Sequence, residues 1–151
     1  MRRIADLVPH QGSMCLLDDV LEWDERIIVC RASSHRRPDH PLRERWGLYA
    51  HCGIEYGAQA AAAHAALVDG PHRPARRGLL AAIRDLITHV PRLDTVEGLL
   101  TIRAELLLVH DGGGRVYGIT LSGGFQTLVT ARISVVTVEA ADLSLVGGTA
   151  S

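Results

Sequence analysis

The sequence predicts an α+β domain in which one long buried helix is wrapped by a curved antiparallel sheet of five to six strands. Three observations predict it. The stretch Leu48–Val68 is rich in Ala and Leu, holds no proline and is apolar on nearly every side, so it reads as a helix that belongs inside a protein. Period-two alternation of apolar and polar residues recurs before and after it, as half-buried strands require. The 151 residues, 47% of them apolar, suffice for one domain that buries roughly 70% of its unfolded surface.

In chain order, Ile4 to Leu7 can make one short turn before Pro9, and His10 to Ser13 is a turn by composition. Met14–Glu22 and Ile27–Ala32 read as two antiparallel strands, with the charged Trp23-Asp24-Glu25-Arg26 between them as the hairpin loop. Ser33 to Trp46 carries six charges, two prolines and two histidines without periodicity, and is a loop leading into the helix. Gly70-Pro71 stops that helix. A strand follows over Gly78–Val90, then Pro91–Gly98 turns the chain. Leu100–Val109, Tyr117–Leu121 and Val129–Thr137 alternate as a meander, with hairpin loops at Asp111–Gly114 and Ser122–Gly124. The domain spans 1–151 with its core at about 7–138, and the small, weakly patterned tail 139–151 is expected to be weakly ordered. Exposed sheet edges need covering, which predicts a dimer.

Composition narrows the function. Net charge is -1 and all sixteen basic residues are arginine, so there is no basic field to hold nucleic acid or an anionic membrane. Three cysteines without a C-x-x-C pattern argue against a disulfide framework or thiolate zinc site, and eight scattered histidines lack metal-ligand spacing. No metal is expected. No segment reads as a signal peptide or membrane span, and a reducing cytoplasm fits best.

Within the helix, His51, Glu55 and Gln59 recur at four-residue spacing and share one face. Surrounded by Ala, Ile and Tyr, the Glu55 carboxyl is expected to be desolvated and to keep its proton, as a general acid must. A solvated stripe on a surface helix is the structural alternative. Gly53, near the first turns, can bring a substrate close to backbone N–H groups, or can serve with Gly57 for close packing alone. Gln59 can hold Glu55 or substrate through its amide.

Two segments carry a family resemblance. Leu7-Val8-Pro9-His10-Gln11-Gly12-Ser13-Met14-Cys15-Leu16-Leu17-Asp18 resembles the first-strand motif of the hotdog-fold 3-hydroxyacyl-(acyl carrier protein) dehydratases, and Gly53-Ile54-Glu55-Tyr56-Gly57-Ala58-Gln59-Ala60 resembles their central-helix motif. The nearest branch is the divergent aryl-polyene, ApeP-like one. His40-Pro41 matches part of the loop that holds the family's catalytic histidine, with one more residue before Glu55, and Tyr49 stands where a proline is usual.

The resemblance implies a hotdog fold and a hydro-lyase that converts a carrier-bound 3-hydroxyacyl thioester into a trans-2-enoyl thioester. It implies Glu55 as acid and a histidine as base, with His40, His51 and His10 as candidates and Gln59, Gly53 and His10 near substrate. No cofactor is implied beyond the phosphopantetheine that carries the substrate. The expected partners are an acyl carrier protein or a coenzyme A thioester, and a second hotdog subunit, identical or related. Arg36, Arg37, Arg43 and Arg45 before the helix, and Arg73, Arg76 and Arg77 after it, can steer an acidic carrier. An acyl thioesterase and a non-catalytic carrier-binding subunit are the alternatives.

Overall fold

A computed structural model describes residues 2–4, 7, 14–70 and 76–139. Strands β1 (Arg2–Arg3), β2 (Asp19–Trp23) and β3 (Ile27–Ala32) precede one helix, α1 (Gly53–Asp69). Strands β4 (Arg76–Thr88), β5 (Leu100–Val109), β6 (Arg115–Gly123) and β7 (Gln126–Glu139) follow it. All seven form one antiparallel sheet in the order β1-β2-β3-β5-β6-β7-β4. The six longer strands are the upper number of the five to six read from the sequence, with the two-residue β1 added at one edge. The hotdog architecture follows: a helix lying along the concave face of a curved antiparallel sheet.

Alternation sets which face is which. Leu100, Ile102 and Ala104 of β5, Tyr117, Ile119 and Leu121 of β6, and Ile28, Cys30 and Ala32 of β3 are buried toward α1, while their neighbours point outward or are only partly covered. The helix sinks deeply into this face. Gly57 makes the depth possible, because a Cβ there would lie 2.5 Å from Cγ2 of Ile119. Gly53 does the same over Leu121, at 2.9 Å. Both glycines thus let the helix pack closely on the sheet.

The helix begins later than its composition suggests. Ala50–Cys52 form a 3-10 turn, and α1 starts at Gly53 without a side-chain cap. At the other end Gly70 takes φ +80 and its N–H donates to the Ala66 carbonyl, the stop its position implies. Sequence-adjacent β3 and β4 lie far apart in the sheet, because the chain crosses over through α1. That leaves β4 as an edge strand pairing only with β7 among the described residues.

Candidate active site at the helix N-terminus

The four-residue stripe on α1 divides in two. Gln59 is buried and structural: its Oε1 accepts from the Leu16 N–H at 2.9 Å, and its Nε2 donates to the Met14 carbonyl at 2.6 Å. His51 and Glu55, one turn apart, are exposed. The expectation that Glu55 is wrapped in apolar interior is thus not met in the single chain. The helix turns this narrow sector outward, past the edge of the sheet, while eleven other α1 residues go inside.

The sector is not open water. His51 and Glu55 line a cleft of about 380 Å³ between the helix start and the edge strand β4, walled by Leu42, Ile54, Leu80, Ile83 and Leu86 and shared with Glu44 and Cys52. Burial, then the Glu44 and Glu55 carboxylates, push the Cys52 thiol up, so it sits there as a neutral group. Tyr49 stacks beside His51, with ring centroids 6.1 Å apart and planes 19° from parallel, and helps set the imidazole's position.

His40 has entirely different surroundings. It is buried, and the Leu42 N–H donates to its Nδ1 at 3.0 Å, which places its own proton on Nε2. That Nε2–H donates to the Tyr56 hydroxyl at 3.0 Å. Since Ser34 Oγ donates to the Leu16 carbonyl at 2.7 Å, the Tyr56 hydroxyl must donate to Ser34 Oγ, also at 2.7 Å. The chain of donors is closed and every member is satisfied. Desolvation, and then the Arg37 charge, hold the His40 imidazole below its ordinary value, and burial pushes the Tyr56 phenol up to about 12. His40 does not line the cleft that holds Glu55. His10 lies outside the described residues.

A second buried pair closes the other end of the helix. His64 Nε2 donates to the Asp24 carbonyl and its Nδ1 accepts from the Tyr117 hydroxyl, each at 2.8 Å. His35 is buried as well; its Nε2 donates to the Val96 carbonyl at 2.9 Å, while its Nδ1 has no hydrogen-bond partner among the described residues. The sequence pattern missed Ser34, His35, Tyr56, His64 and Tyr117 as buried polar residues. Tyr56 and His64 lie at i+1 and i+9 from Glu55, on the inward face of the helix, and that phase was the available signal.

The arginines before the helix are mostly engaged. Arg37 pairs with Asp39, Arg43 lies 3.7 Å from Asp94, and Arg45 lies over the Trp46 ring at 5.0 Å. Arg73 falls outside the described residues, and Arg76 and Arg77 open β4. Among the described residues, no group of three or more His, Cys, Asp or Glu could hold a metal ion. No helix among them is long and apolar enough to cross a membrane.

Comparison with known proteins agrees with this architecture. The chain is similar to a structure of the dehydratase heterocomplex ApeI:P from Xenorhabdus doucetiae, with TM-score 0.82 and 22% identity over 97% of both chains. It is also similar in fold to Cj0977, a sigma28-regulated virulence protein of Campylobacter jejuni (TM-score 0.61, 11% identity, 90% of this chain and 96% of that one). The hypothetical protein SAV0944 of Staphylococcus aureus shares the fold too (TM-score 0.60, 14% identity, 80% and 92%). No curated protein sequence matches the chain. The family model described as ApeP-like, ApeP dehydratase, matches residues 2–145, and the chain belongs to that dehydratase family.

Proposed function

We propose that this dehydratase removes water from a carrier-bound 3-hydroxyacyl thioester, with Glu55 as the acid and His51 as the base. The observation that carries the reading is the shared cleft. An imidazole and a carboxyl one helical turn apart face an apolar channel beside an unpaired strand edge. In the reaction His51 takes the C2 proton, whose electron pair forms the C2–C3 double bond. The C3–O bond breaks, and Glu55 gives its proton to the departing hydroxyl so that water leaves. The proton on His51 then returns to Glu55 through solvent. His40, with both ring nitrogens engaged inside the fold, serves in this reading to hold the loop before the helix.

The open side of the cleft supports a second hotdog subunit across β4. Leu80, Ile83 and Leu86 of that strand are exposed in the single chain, and covering them would dry the cleft, the condition under which a carbonyl is polarised most effectively. A heterocomplex is named for the similar Xenorhabdus doucetiae protein, which supports a related rather than identical partner. The substrate arm is phosphopantetheine on an acyl carrier protein, steered by the exposed arginines of the 36–45 loop.

The test supplies a 3-hydroxyacyl thioester on acyl carrier protein to the chain alone and with a related hotdog subunit. Enoyl absorbance should rise, and Glu55→Gln should lower the rate by about 10²–10⁴-fold with the fold intact. Release of free thiol without enoyl product would make the protein a thioesterase. Enoyl formation at the wild-type rate by Glu55→Gln would remove Glu55 from the reaction.

A further inference from the structure

The outer face of the sheet, turned away from α1, carries a hollow that the chemistry above does not use. On β7, Ala131, Ile133 and Val135 are buried against the helix side, so Arg132 and Ser134 between them face outward. Arg84 of β4 stands directly across from Arg132 in the register. Like charges opposite one another on neighbouring strands repel, and an anion held between them relieves that repulsion. With His110 and Ser134 the two arginines border a hollow of about 310 Å³ whose apolar lining is Leu108 and Val116. Among the described residues no carboxylate lines it.

The neighbouring hollow on the same face makes the contrast. It measures about 330 Å³, and its arginines are matched by acids: Arg103 bonds Glu105 at 2.9 Å, and Arg132 reaches Asp85 at 3.7 Å. That last pair is long and more than half exposed, so it holds Arg132 only weakly. Arg84 makes no ion pair among the described residues. The backbone shapes this end of the face as well. A bulge adds one residue to β4 between Arg84 and Ile87, with Asp85 at φ +53, and another adds Leu107 to β5 between Leu106 and Leu108. Bulges redirect the side chains beside them, and a non-glycine residue kept in the left-handed region marks a place where that redirection matters.

We propose that this hollow binds a phosphomonoester carrying a short aliphatic substituent. The two guanidinium groups and the Ser134 hydroxyl donate to the phosphoryl oxygens, and Leu108 and Val116 receive the carbon chain. The assignment is independent of the dehydration chemistry, which lies on the other side of the sheet.

The experiment titrates the folded protein with inorganic phosphate and with n-butyl phosphate at constant ionic strength, following backbone amide NMR shifts. Saturable shifts centred on residues 84, 108–110, 116 and 132–134 are expected, with butyl phosphate bound roughly three- to tenfold more tightly because its carbons are covered. Arg84→Ala and Arg132→Ala, both at exposed positions and checked for unchanged melting temperature, should each weaken binding by about tenfold or more. Vesicles of phosphatidic acid in phosphatidylcholine, compared with phosphatidylcholine alone, separate the sources. Co-sedimentation assigns the ester to a lipid, and soluble binding without it assigns a free metabolite. Linear shifts that chloride reproduces, or unchanged affinity in Arg84→Ala, would overturn the site.

Discussion

His40 and His51 flank the entry to the same helix and have opposite surroundings. His40 is buried, neutral and fixed by a relay that runs from the Leu42 N–H through Tyr56 and Ser34 to the Leu16 carbonyl. His51 stands exposed beside Glu55 in an apolar cleft, with Tyr49 stacked on it and no hydrogen bond partner fixing its nitrogens among those described. The difference teaches which histidine the fold uses and which it leaves available. An imidazole whose two nitrogens are both engaged can take up a proton only by breaking the relay. One lining a cleft faces whatever binds there, and the fold does not depend on its nitrogens.

If that division holds, stability and turnover respond to different residues. The largest loss of stability is expected on the inward face: Gly57→Ala forces a methyl against the stiff, β-branched Ile119, and should cost about 1–3 kcal/mol in denaturant unfolding. Tyr117→Phe comes next. It strips His64 Nδ1 of its donor and leaves a buried acceptor unpaired, a loss of about 1–2 kcal/mol read as a shift in the urea midpoint. A Tyr117→Phe protein as stable as wild type would show that the His64 relay does little for the fold.

The same relays predict an acid sensitivity. Desolvation lowers the folded-state values of His35, His40 and His64, so below about pH 6.5 the unfolded chain binds more protons than the folded one. Stability is then full above that range and falls as pH drops through it, by no more than about 1.4 kcal/mol per pH unit for each histidine. Unfolding midpoints measured between pH 7.5 and 5.5 test this, in a window above the range where the lowered carboxyls Asp24, Asp39 and Asp94 titrate. A flat profile would break the link between burial and protonation. The smallest effect is expected at the surface: Arg103→Ala removes a half-exposed pair with Glu105 and should change stability by less than about 0.5 kcal/mol.

Much of this was legible in the residues. Alternation in Leu100–Val109 and Val129–Thr137 marks the strands because one face of each is buried, and the Ala-rich stretch marks the helix because nothing in it competes with helical hydrogen bonding. The start of α1 was less legible, since Leu48 to Cys52 have helical composition but are drawn into a loop and a 3-10 turn by long-range bonds, Leu93 N–H to the Leu48 carbonyl and Ala50 N–H to the Pro91 carbonyl. For the candidate site, four-residue spacing placed His51, Glu55 and Gln59 on one face and could not tell inside from outside. A rotation of the helix by part of a turn separates the bonded Gln59 from the exposed pair, and that rotation is set by where Gly53 and Gly57 meet the sheet. The Tyr56–Ser34–His40 relay joins residues 16 to 56 across three segments, and no local pattern announces such a contact.

The most direct test is the turnover of His51→Ala in the assembled dehydratase, measured as enoyl thioester formed per subunit and paired with its melting temperature. The rate should fall by about 10²–10⁴-fold while the melting temperature stays within a degree or two of wild type. A His51→Ala protein that dehydrates at the wild-type rate would contradict the account and move the base elsewhere.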